Sequence, residues 1–188
     1  NVKRMLAYSS IAHAGYILIG VVVSPDLATA PAILFYLVVY GLMSLGAFGA
    51  IIAVNRAGEE VLAIDDFAGL SARAPLLAFV LALCMFSLAG IPPTGGFIGK
   101  FYLFGQAIER GYYGLAIVGV LSSVVSVYYY LRLPVVMYMR DAKGEAPAIN
   151  TGGGVGAMLA VAVAGLLALG VVPAFVLNIA RTTLASLP

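Results

Sequence analysis

Lys100 stands four residues after the stretch Gly90-Ile91-Pro92-Pro93-Thr94-Gly95-Gly96, in the middle of an otherwise apolar run from 75 to 108. Two prolines remove amide donors and push the residues before them away from helical geometry, while the glycines permit any local turn. The run is therefore expected to form two half-helices, with Lys100 early in the second. It lies nine residues before Glu109, about 13 Å along a helix and so deep in the run. An amine held out of water, near the positive end of a half-helix, is placed to take up and release a proton, a task a surface lysine cannot usefully perform. Proton transfer is thus the chemistry these residues suggest. The plainer alternatives are a lysine that snorkels to an interface, a fixed structural charge, and a break that is only a packing kink.

Other polar residues extend the pattern. Lys3 opens the first apolar run, Ser10 follows seven residues on at nearly the same helical angle, and His13 lies about 80° further round, so a polar stripe leads inward. A proton could enter along it, although Lys3 with Arg4 also fits a topology anchor and His13 a hydrogen-bonded packing residue. Tyr36, Tyr40 and Ser44 recur at helical spacing, as do Ser122, Ser126 and Tyr130. Either set could hold water around Lys100, or simply join helices, as could Gly95 and Gly99. Arg132 is expected to pair with a connecting acid, Asp65 or Asp66.

The elements that must position these groups follow from composition. Of 188 residues, 63% are hydrophobic and 10% are charged, whereas a soluble domain has about 25% charged residues. Five runs are long enough to cross about 30 Å of hydrocarbon, namely 5–23, 28–54, 75–108, 112–139 and 154–177. Of the 18 charged residues only Lys100 and Arg132 fall inside them. The runs are too long and too uniformly apolar for barrel strands, so an all-α membrane protein of five spans is expected, the third broken at Gly90–Gly96. Lys3, Arg4, Arg56, Arg73, Arg140 and Lys143 flank one side, and Arg110 and Arg181 the other. That asymmetry places the amino-terminal end in the cytoplasm and the carboxyl-terminal end opposite. The turn after 23 is tight, the connection 55–74 has room for a short surface helix, and 140–153 is polar and glycine-rich. No connection has room for a soluble domain, and the absence of an initiating Met suggests part of a larger polypeptide.

One cysteine, Cys84, and one histidine exclude an internal disulfide, a thiolate metal site and a bis-histidine haem on this chain. No phosphate-binding loop or dinucleotide fingerprint is present either. No cofactor and no metal are expected on this chain, and any redox group is expected elsewhere.

Residues 1–16, NVKRMLAYSSIAHAGY, and 87–102, SLAGIPPTGGFIGKFY, resemble the antiporter-like membrane subunits of respiratory complex I, the proton-translocating NADH-quinone oxidoreductase. With 44–49, SLGAFG, and 128–132, YYYLR, the likeness is greatest to the N-type subunits and covers the whole chain. The resemblance implies a subunit of about fourteen helices, of which these would be the last five in a single membrane domain, 1–188. It also implies that Lys100 belongs to a central row of charged groups through which protons pass, with Lys3 and Arg4 matching a pair at the head of the first span. Related subunits can carry glutamate at the Lys100 position. FMN, iron–sulfur clusters and quinone would sit in partner subunits, other membrane subunits of the complex would flank this one in a bacterial inner membrane, and nucleic acid would have no part. A subunit of a multi-subunit sodium/proton antiporter, a membrane-bound hydrogenase subunit and a structural membrane scaffold are the alternatives.

Overall fold

The protein is described by a computed structural model covering residues 1–24, 29–56, 59–142 and 148–185, with backbone alone at 55–56, 59–60 and 184–185. Among the described residues, eight α-helices make up most of the structure: α1 (Val2–Val22), α2 (Ala30–Ala53), α3 (Leu70–Arg73), α4 (Pro75–Ala89), α5 (Gly95–Glu109), α6 (Tyr113–Met139), α7 (Gly153–Val171) and α8 (Ala174–Ala185). Four of them, α1, α2, α6 and α7, are long and apolar enough to cross a membrane, and α4 is a shorter apolar helix. The molecule is thus an all-helical membrane protein. Its outward faces agree, because Leu18, Leu76, Val124, Val125 and Tyr128 are each more than half exposed, and water would not tolerate so much apolar surface.

Helix α2 lies at the centre and touches α1, α4, α5, α7 and α8, while α6 closes the other side against α4, α5 and α1. Phe35, Val39, Met43, Leu81, Met85, Leu88 and Leu133 fill the main core, and a smaller one gathers Tyr16, Tyr36, Leu103, Phe104 and Ala116. Helix starts follow local chemistry. The Asn1 side chain accepts from the Arg4 amide at 2.9 Å, and Pro75 opens α4, where its missing N–H would have had no helical partner.

Two expectations are corrected at helix ends. The third run is two helices separated by 90–94, so Gly95 and Gly96 begin the second helix and do not belong to the interruption. The last run does not continue to 177. Helix α7 stops at Val171 because Pro173 cannot donate and disfavours helical geometry at Val172, whose φ and ψ are −126° and 68°. The chain restarts as α8.

The connection 55–74 has the expected short helical pieces, a 3₁₀ turn at Ile64–Phe67 and α3. It also holds strands that the sequence did not suggest. In β1 (Val54–Arg56), Asn55 pairs with Glu60 of β2 (Glu59–Glu60), and Val54 pairs with Ile149 of β3 (Ala148–Ile149), both antiparallel. Two connections at one end of the bundle thereby satisfy each other's backbone groups. The Val2 amide donates to the Leu62 carbonyl at 2.8 Å, which puts the start of α1 at that same end. At the opposite end Thr29 donates to the Gly20 carbonyl at 2.8 Å. Lys143 and residues 25–27 of the tight turn lie outside the described residues.

Asp65 pairs with Arg140 at 2.8 Å, not with Arg132, which is exposed on α6. The side chains of that pair are 55% and 70% exposed, so Asp65→Asn is expected to change stability by at most about 1 kcal/mol. Thermal unfolding of the purified variant checks this, and a drop of several kcal/mol would mean that the pair organises the whole connection.

Candidate functional site at the broken helix

Helix α4 ends at Gly90, whose φ of 83° is the left-handed geometry that glycine adopts without strain. Its amide and that of Ile91 both return to the Phe86 carbonyl, at 3.0 and 2.9 Å, which stops the helix within one residue. The chain turns through two prolines, and Thr94 donates to the Ile91 carbonyl at 2.7 Å before α5 begins. At the start of α5 the Gly96 amide donates back to Ser87 Oγ at 3.1 Å. The two half-helices are thus fastened to each other across the break.

This arrangement leaves the last carbonyls of α4 without helical partners, and Lys100 supplies them. Its Nζ donates to the carbonyls of Leu88 at 2.9 Å and Ala89 at 3.1 Å, and to Ser123 Oγ on α6 at 2.9 Å. The residue is only 5% exposed. The expected electrostatics are corrected here. Lys100 belongs to the amino-terminal turns of α5, but its amine folds back onto the carboxyl end of α4, where the exposed carbonyls present partial negative charge. A pocket of about 380 Å³ between α5 and α6 reaches the amine, lined by Phe97, Phe101, Phe104, Val120 and Ser123 among others.

The amine also lies 5.2 Å from the centre of the Tyr16 ring, a cation–π distance. Tyr16 belongs to α1, and it also meets His13 edge-on, with ring centres 5.6 Å apart. Its hydroxyl donates to Ser122 Oγ at 3.4 Å. Beyond it lies a second polar group. Tyr36 bonds His13 Nδ1 at 2.7 Å, Tyr130 bonds Nε2 at 3.0 Å, and Tyr130 also bonds Ser9. Tyr40 stacks on the imidazole with ring centres 4.8 Å apart.

The sequence-derived residues therefore divide. His13, Tyr36, Tyr40 and Tyr130 come together in one group, and Ser126 joins Lys100 at the break through Ser123, to whose carbonyl it donates at 2.6 Å. Ser10 does not join them. It is exposed and donates to the Ala7 carbonyl of its own helix at 2.7 Å, while Ser9, one position back, faces inward. Ser122 is exposed at the edge of α6, and Ser123 is the serine that reaches the amine. Neither of the expected water-holding rows closes around Lys100, since Tyr36 and Tyr130 engage His13. Ser44 is half-buried further along α2. Glu109 is exposed and accepts from Gln106 at 2.9 Å, and Lys3 lies about 15 Å along α1 from His13. Gly95 and Gly99 face Val39 and Tyr36 of α2, as an interhelical pair should. Ser9, Tyr16 and Ser123 escaped the sequence reading, yet Ser9 and Tyr16 stand four residues before and three after His13, on its own face.

A buried amine fastening two half-helices inside an apolar bundle defines a polytopic membrane protein with a built-in charge site. Comparison with known proteins specifies it further. Residues 1–126 match the family model described as NADH:quinone oxidoreductase/Mrp antiporter, TM, and the chain belongs to that family. It is 49% identical over 181 residues to NADH-quinone oxidoreductase subunit N of Trichlorobacter lovleyi, covering 96% of this chain and 37% of the relative. It is 47% identical over 188 residues to the subunit N of Chloroflexus aggregans, covering 100% and 38%. The chain thus spans under two-fifths of the length of these curated relatives. Among solved structures, it resembles a chain of respiratory complex I from Thermus thermophilus with bound aureothin, with a TM-score of 0.76 and 34% identity, covering 94% of this chain and 39% of that one. A chain of the Mrp complex from Dietzia sp. DQ12-45-1b gives 0.77 and 25%, covering 93% and 40%.

Proposed function

We propose that this chain is the carboxyl-terminal portion of a proton-translocating membrane subunit of NADH-quinone oxidoreductase, and that Lys100 carries the transported proton. The single observation behind this is the Lys100 amine, held at the broken helix by two end carbonyls and one serine. As ammonium it has three acceptors in place. On giving up its proton it keeps two N–H donors for the carbonyls and turns its lone pair to the Ser123 hydroxyl, but it loses the charge that strengthens both bonds to the end of α4, so its charge and the joint between α4 and α5 are coupled. Tyr16 is near both this amine and the His13 cluster, and that cluster serves as the branch toward Lys3 along which a proton enters.

In this proposal the chain crosses the membrane five times, by α1, α2, the pair α4 and α5 in series, α6 and α7. Fifteen residues each, α4 and α5 reach about 22 Å apiece and span only together. The gathering of Val2, the connection 55–74 and β3 at one end supports an odd number of crossings. The excess of Lys and Arg at that end supports its placement in the cytoplasm of a bacterial inner membrane, with α8 beyond the last crossing on the opposite side. NADH oxidation and quinone reduction, with FMN and iron–sulfur clusters, belong to partner subunits, and this chain performs no redox step. Energy reaches it from neighbouring membrane subunits through electrostatics and conformation. The higher identity to the complex I chain than to the Mrp chain supports this over a sodium/proton antiporter.

The test uses the full-length subunit in the assembled complex, in sealed vesicles. Lys100→Met is expected to leave assembly intact and to lower the protons moved per NADH oxidised. Unchanged pumping removes the carrier role and leaves a scaffold, whereas sodium-dependent transport without NADH oxidation points to the antiporter.

A further inference from the structure

Arg132 stands where a membrane helix should not show a charge. The middle residue of α6, Ser126, lies near the depth of the break, since it donates to the carbonyl of Ser123, the serine that holds the Lys100 amine. About ten residues on either side of that middle fill the ~30 Å of hydrocarbon, so Arg132 lies about 6 Å inside its edge. The side chain is exposed on the outer surface of the bundle, and among the described residues it makes no hydrogen bond or ion pair. An arginine at this depth is costly unless paired, and such residues normally face protein. Reaching for the lipid headgroups does not resolve it. The near interface lies toward Arg140, which pairs with the exposed Asp65, whereas the Cα–Cβ bonds of a helix tilt toward its amino terminus, here toward the membrane centre. The arm thus sets out away from the nearest phosphates. Its flat fork of donors fits a carboxylate presented at its own depth.

The surface around Arg132 has the form of a helix seat. Leu121, Val125, Tyr128, Arg132, Val135 and Met139 are all exposed, and they recur at alternating spacings of four and three residues, the stripe of a helix–helix seam. Between Ser126 and Met139 only Tyr138 is exposed besides members of this stripe, so the seat is one helix wide at the level of Arg132. Beside it an apolar groove of about 360 Å³ runs between α4 and α6, sharing Val135 and Met139 with the stripe and lined also by Phe79, Leu83 and Phe86. We propose that a membrane-spanning helix of a neighbouring subunit packs on this seam, its apolar side chains in the groove, and presents an aspartate or glutamate to Arg132. The rest of this subunit is the less suitable occupant. In the proposed reading it joins at Asn1, and consecutive elements usually lie side by side, which seats it first on the outward face of α1, where Tyr8, Ile11 and Leu18 are each more than half exposed. The solved relatives are themselves chains of larger complexes. The seam rests on the reading of this chain as one membrane subunit among several, and not on the role of Lys100.

The experiment uses the full-length subunit in its assembled complex. With Tyr128 replaced by photoreactive benzoylphenylalanine, ultraviolet light is expected to join α6 to a membrane-spanning helix of another subunit, with an Asp or Glu within a helical turn of the attachment site. Arg132→Leu then separates pairing from lipid contact. On a lipid-facing surface leucine is neutral or better, whereas loss of a pair leaves the partner's acid alone in hydrocarbon, so the ratio of that subunit to this one after purification is expected to fall at least tenfold. Exchanging the charges, Arg132→Glu here with arginine at the cross-linked acid, is expected to return the ratio to within threefold of wild type, a recovery that a merely misfolded subunit would not show. Attachment to lipid alone, to another helix of the same subunit, or to a helix without an acid overturns the proposal, as does an undiminished ratio in Arg132→Leu or no recovery on exchange. Neither readout involves proton transfer, so a Lys100→Met complex that still pumps would remove the carrier and leave this seam in place.

Discussion

Lys100→Arg is expected to abolish proton translocation as completely as Lys100→Met, although it keeps the positive charge. A carrier must lose its proton as well as hold it, and a guanidinium does not deprotonate in a protein. Shape adds to chemistry. The Lys100 amine takes three acceptors from different directions, two carbonyls of α4 and one hydroxyl of α6, whereas arginine presents its donors in a flat fork suited to carboxylates. The neighbouring backbone is also close, since a Cβ on Gly90 would stand only 3.0 Å from Lys100 Cδ and 3.2 Å from Nζ. The comparison separates two roles that Met alone confounds. If Lys100 were a fixed charge that only neutralises the end of α4, Arg would rescue pumping where Met fails. Proton translocation per NADH oxidised, measured for both variants at matched complex content, decides the matter, and pumping by Lys100→Arg near the wild-type level would sink the carrier.

What made Lys100 legible from sequence was the conflict between its surroundings and its charge. A lone amine in an apolar run next to Pro92 and Pro93 marks the interruption and the charge together, and hydrocarbon leaves few other reasons for either. Long apolar runs were equally legible, because crossing a bilayer demands length and composition alone. The direction of the amine was not, since whether it follows its own helix or folds back to α4 depends on where the half-helices are fastened, through Gly96 and Ser87. Ser9 and Ser10 show the same limit. Adjacent serines on a helix differ by 100°, and only the packing of α6 against α1 determines which of them meets Tyr130. The stop at Val171 was readable from Pro173 in principle, but an apolar run that continues to 177 masks it. The three short strands carry no periodicity over two or three residues, and they arise because two connections meet at one end of the bundle.

Gly96→Ala is expected to damage both the fold of the break and the function that depends on it. A Cβ at this position would fall 1.9 Å from the Ser87 carbonyl oxygen and 2.7 Å from its carbon. Both are backbone atoms, so no side-chain rotation relieves the clash and α4 and α5 must part. Parting them breaks the bond from the Gly96 amide to Ser87 Oγ, and it moves the carbonyls of Leu88 and Ala89, the next two along α4, away from Lys100. Overpacking of this kind costs about 1–3 kcal/mol and sometimes more, which should lower the thermal midpoint of the solubilised complex or the amount of subunit assembled. Where assembly survives, pumping should fall further than stability, because the Lys100 acceptors shift even in a folded chain. Gly105→Ala supplies the control within the same helix. Apart from its chain neighbours and the backbone of its own helix, no described atom lies within 4 Å of its Cβ position, and alanine favours a helix interior by about 1 kcal/mol over glycine, so that variant should be as stable as the wild type or more so. A Gly96→Ala subunit that assembles, melts and pumps like the wild type would mean that the two half-helices are not held together at Ser87, and the coupling of the Lys100 charge to this joint would fall with it.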